Sequence, residues 1–97
     1  MSGSHPIHLT NEGLLQWPQL LRSHGCEVSR PTVKQAEHIS FFYVRKESVA
    51  VTVVQHVDCA SNRNELYFRP TGDEGKRQLA LWIKAIIHDA GLSEDCT

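Results

Sequence analysis

The residue types that do chemistry are present in this chain, but their spacing is loose. His56 and Cys59 lie close to Asp58, and Glu65 follows the same turn-forming stretch. An imidazole beside a thiol is the starting arrangement of a cysteine nucleophile, and paired carboxylates are the start of acid/base work. On a continuing strand, however, positions 56 and 59 point to opposite faces, and no third residue is placed to orient the pair. Asp58 and Glu65 read as solvated turn charges. The six histidines raise metal ligation. His5 and His8 flank Pro6, which argues against a helix that would align them. His24, His38, His56 and His88 are scattered, and none stands at zinc-finger spacing from a cysteine pair. Cys26, Cys59 and Cys96 form an odd, widely spaced set without a CxxC, so they read as reduced thiols of a cytoplasmic protein. The chain has no phosphate loop, dinucleotide fingerprint, nucleophile elbow or HExxH. The expectation is a non-enzymatic protein with no metal and no cofactor.

The elements that would carry these residues fit one domain. The chain has 97 residues, 40% hydrophobic and 22% charged, with a net charge of -1. That balance is ordinary for a globular protein and lacks the strongly basic footprint of a general nucleic-acid binder. The longest apolar runs are far too short to span a bilayer, so no membrane is expected. Residues 1–6 have neither a basic start nor an apolar core and do not read as a secretory signal.

Residues 1–10 read as a loose segment, 11–92 as a single α+β domain and 93–97 as a short acidic tail. Thr10 or Asn11 can cap a helix over about 11–24, ended by Gly25 and interrupted by Pro18. Residues 26–37 read as a loop or a short edge strand. Ile39-Ser-Phe-Phe-Tyr-Val-Arg45 and the Val-rich stretch 49–57 are strands by their alternation and β-branched content. Glu65-Leu-Tyr-Phe-Arg69 is a third strand, stopped by Pro70. A last helix is capped by Thr71 or Asp73, carries Leu79, Trp82, Ile83, Ile86 and Ile87 on its apolar stripe, and ends at Gly91. The expected fold is a two-layer α-β-β-β-α domain. It has a three-stranded antiparallel meander, strand 49–57 central, with both helices on the sheet.

The hairpin carries more apolar surface than one covered face requires. A loop of residues 46–48 pairs Tyr43 with Val51 and puts Phe42, Val44 and Val54 on one side. A Lys46-Glu47 loop pairs Phe42 with Val51 and regroups them. Either way apolar residues remain on both faces, where a sheet covered on one side alternates cleanly. The second face must be covered by the N-terminal segment, the first helix or residues 26–37, or else by another molecule. An exposed apolar patch usually marks a binding site, and strand 39–45 as an edge would offer backbone for strand addition. Ile39, Phe41, Phe42, Val44 and Val54 are the candidate partner-binding residues.

The order α-β-β-β-α, with Gly75-Lys-Arg77 opening the last helix, resembles a double-stranded-RNA-binding domain in element order over residues 11–90. That resemblance implies phosphate contacts from the helix start. The sequence departs from the family's pattern at Asp73 and Glu74, at Gln78-Leu-Ala-Leu-Trp82, and in lacking a Gly-Pro-x-His loop, so the family is not assigned. Arg45, Lys46, Lys76 and Arg77 are the candidate residues for this alternative. Phe41, Phe42, Tyr43, Tyr67 and Phe68 are aromatic candidates for base stacking. The leading expectation is a small protein acting by protein–protein contact with another protein or a second copy of itself. Inhibitors, adaptors, immunity proteins and phage-type regulators are of this kind.

Overall fold

Thr10 separates the first strand from the first helix. Its backbone is extended, and its hydroxyl accepts the Gly13 N–H at 2.9 Å, which satisfies one of the free donors of a helix start. The computed structural model describes residues 7–34, 38–58, 63–69 and 73–94. In chain order the elements are β1 (Ile7–Leu9), α1 (Asn11–Ser23), β2 (Glu27–Val28), β3 (Thr32–Lys34), β4 (Ile39–Lys46), β5 (Val49–Asp58), β6 (Arg63–Phe68) and α2 (Glu74–Asp89).

Helix α1 runs through Pro18 rather than starting there. Proline removes one N–H and leaves the Leu14 carbonyl without its i+4 donor. Burial of Trp17 and Leu21 on the same helix offsets that loss, since both side chains are fully buried. Gly25 takes φ 90° and turns the chain, with its N–H on the Arg22 carbonyl and that of Cys26 on the Leu21 carbonyl. At α2, Asp73 is the cap, accepting the N–H groups of Gly75 and Lys76 at 2.8 and 3.3 Å. Thr71 lies outside the described residues.

Among the described residues the fold is α+β with an antiparallel sheet and two helices, but the sheet has six strands rather than three. The expected meander is present as β4-β5-β6, with β5 paired on both sides. Strand β1 extends it beyond β6, and β2 and β3 extend it beyond β4. Residues 7–9 are therefore not loose. Ile7 and Leu9 alternate with His8, and the free edge of β6 buries them to 7% and 1% exposure. Three residues are too short a run to carry a strand signal by themselves. The C-terminal segment closes the outside of β1. The Glu94 N–H donates to the His8 carbonyl, and the Thr10 N–H donates to the Leu92 carbonyl at 2.9 Å.

Strand β4 is not an edge, contrary to expectation. Its outer side is taken by β2 and β3, which act as one interrupted strand. Residues 28 to 32 on that strand oppose residues 44 to 41 on β4, one residue more than the partner, which is a bulge. Ser29 fills the break by bonding Tyr43 through both its N–H and its hydroxyl, each at 2.9 Å. The bulge, Pro31 and the short pairings blunt this edge against strand addition.

The β4–β5 turn is Glu47-Ser48, with Lys46 opposite Val49. It is neither of the two loops expected from the sequence. Glu47 adopts φ 60°, a conformation usually marked by Gly or Asn, so no turn signal announced it. This register pairs Phe42 with Val53 and Val44 with Val51, which gathers the four on one face. That face, with Leu66 and Phe68, meets Trp17, Leu21, Leu79, Ile83 and Ile87 from the two helices to form the core.

Candidate functional site: the open face of the sheet

Because both described helices share one side, no described helix covers the other side of the sheet. By alternation it carries Ile39, Phe41, Tyr43 and Arg45 from β4, and Ala50, Thr52, Val54 and His56 from β5. Strand β6 adds Glu65 and Tyr67. The pairings arrange these in cross-strand rows. One runs His8, Glu65, His56, Ile39, Lys34, and the next runs Tyr67, Val54, Phe41, Thr32. Ile39, Phe41 and Val54 are half-buried, whereas Tyr43 is 64% exposed.

Phe41 is the centre of the second row. The Lys34 ammonium lies 5.7 Å and the Arg69 guanidinium 5.6 Å from its ring centroid. Both distances suit cation–π attraction. Neither cation has a carboxylate within ion-pair reach among the described residues. A further basic residue of the face, Arg45, is matched by Glu27 at 2.8 Å.

The first row forms a polar corner. The Tyr67 hydroxyl donates to Glu65 Oε1 at 2.5 Å. The hydrogen bond to Glu65 raises the Tyr67 pKa above the ordinary phenol value, and partial burial and the carboxylate charge push the same way. His8 Nδ1 stands 3.6 Å from Oε2 and His56 Nδ1 3.7 Å from Oε1, each an ion pair only when the ring is protonated. The carboxylate thus stands between two imidazoles that face different oxygens. Among the described residues no set of three such groups is arranged to hold a metal ion. No described cysteine lies in this corner. Cys26 is buried on the helix side, where desolvation raises its thiol pKa and Lys46 partly opposes that. Cys59, the thiol considered with His56, lies outside the described residues.

Of the residues singled out from the sequence, Ile39, Phe41 and Val54 come together on the open face. Phe42 and Val44 do not. They are 6% and 0% exposed in the core, because the Glu47-Ser48 turn sets the opposite parity to the one that grouped them with Val54. The basic set does not form one surface. Arg45 and Lys46 project to opposite sides of the sheet, and the Lys46 ammonium sits 5.1 Å from the Trp82 ring centroid. Lys76 is exposed on the first turn of α2, and Arg77 is 3.5 Å from Glu74. Lys34 and His8 were not legible as members of the face, because their strands are short, and Glu65, though read on a strand, has neighbours across the sheet that follow from the register alone. Comparison with known proteins finds no family model, no curated protein and no solved structure that matches this chain.

Proposed function

We propose that this is a small non-catalytic protein that works by docking another protein on the open face of its sheet, in the manner of an inhibitor or adaptor. One observation carries the reading: two helices cover one side of the sheet, while Ile39, Phe41, Val54, Tyr43 and Tyr67 gather on the other. An apolar centre bounded by Lys34, Arg45, Arg69, His8 and Glu65 has the apolar-core, polar-rim composition of protein interfaces. The blunted edges at β1 and at β2–β3 favour the face over strand addition.

The test pairs Phe41→Glu and Val54→Glu with Leu15→Glu, an exposed leucine on α1. A partner purified from the source cell, identified by mass and rebound in pure form, should be lost with the first two variants and kept with the third. All three should retain the native circular dichroism spectrum. Binding that survives both sheet variants sinks the reading.

A further inference from the structure

Resting on that docking reading, we infer that the occupant of the open face is an acidic segment of another protein, laid across Phe41 with carboxylates on Lys34 and Arg69. The size of the face comes first. Five strand positions about 4.8 Å apart, and four rows about 6.8 Å apart, give roughly 20 Å by 20 Å, on the order of 400 Å² of projected area. That span matches an extended segment of about six residues at about 3.3 Å each.

Charge then selects the chemistry. Lys34 and Arg69 have no carboxylate partner among the described residues, while Arg45 has Glu27, and the Glu65 carboxylate stands away from Phe41 in the corner with Tyr67, His8 and His56. Among the described residues, both charged groups beside the Phe41 ring are cations. A carboxylate set beside an apolar side chain matches that pattern. A single-stranded nucleic acid would also bring anions, but base stacking needs bare ring faces. The Phe41 ring is approached by two cations, and Tyr67 is tied to Glu65. Tyr43 alone stands largely free.

The experiment follows backbone amide NMR signals of the full chain against three probes. These are a glutamate-rich peptide with a central Leu-Phe pair, the same peptide with lysine for glutamate, and an oligouridylate. The expected result is that the glutamate peptide shifts the signals of Lys34, Phe41, Tyr43 and Arg69 and the lysine peptide does not. Lys34→Glu with Arg69→Glu should weaken the glutamate peptide at least about tenfold, and added salt should weaken it in the unmutated chain. The inference is overturned by absent or equal shifts with the two peptides, by shifts with oligouridylate alone, or by a doubled native mass without any probe. If Phe41→Glu releases the natural partner but the double charge reversal does not, docking on this face stands and the acidic segment falls.

Discussion

Phe41 and Phe42 are adjacent in the chain and lie on opposite sides of the sheet. Phe42 is 6% exposed and meets Trp17 edge-on, with ring centroids 4.8 Å apart, whereas Phe41 lies between two cations on the open side. Stability and binding should therefore separate between them. Phe42→Ala removes a core ring and should cost about 3–5 kcal/mol. Phe41→Ala forfeits partial burial and exposed cation–π contacts, so about 1 kcal/mol or less. Chemical denaturation of the two variants measures this directly. Equal losses would mean that the register is wrong.

That pair also shows what the sequence could carry. The apolar surplus of 39–57 was legible, because six of seven residues from Val49 to Gln55 are apolar or β-branched and period-two alternation fails there. Which half of it faces outward was not. A shift of one residue in the turn exchanges the faces, and Glu47 in a left-handed conformation has no sequence signature. The helices were readable from caps and apolar stripes. Strand β1 was not, and β2 and β3 were readable only as a loop or short edge strand over 26–37, since two or three residues become strands only when a partner edge pairs with them. Lys34 and His8 joined the site by that route.

Gly13 lies directly against the Leu92 backbone. A β-carbon at position 13 would overlap the Leu92 carbonyl oxygen and stand 3.0 Å from the Leu92 Cβ. Alanine is normally better than glycine in a helix by up to about 1 kcal/mol. Here the order should reverse, and Gly13→Ala should destabilise by about 1–3 kcal/mol through overpacking. A lowered thermal midpoint is the expected outcome. A raised one would show that α1 and the C-terminal segment do not meet this closely.

Trp17 is fully buried, and its indole N–H donates to Gln55 Oε1 at 2.8 Å. Gln55 sits on the covered face among valines, where an apolar residue would be the default choice. Gln55→Leu should nevertheless destabilise by about 1–3 kcal/mol, because it leaves a buried donor unsatisfied. Combining it with Trp17→Phe should recover part of the hydrogen-bond loss, since the donor goes too. A double-mutant cycle measures the coupling. Zero coupling energy would remove the hydrogen bond from the account.

The Tyr67–Glu65 pair gives a pH dependence with a definite sign. Its hydrogen bond to the carboxylate raises the phenol above its ordinary value, so the folded state holds the proton to higher pH than the unfolded chain. The contribution to stability is then complete below the ordinary phenol range, and it is lost as pH rises through the folded value. Cys26, raised by burial, acts with the same sign, so the comparison must isolate the tyrosine. Tyr67→Phe should lose less stability than the unmutated chain across that alkaline window, with the Cys26 part cancelling between them. Glu65→Gln removes the carboxylate charge and should bring the Tyr67 titration down toward the ordinary range, read from phenolate absorbance. A titration curve unchanged by Glu65→Gln would mean that the carboxylate does not hold this proton.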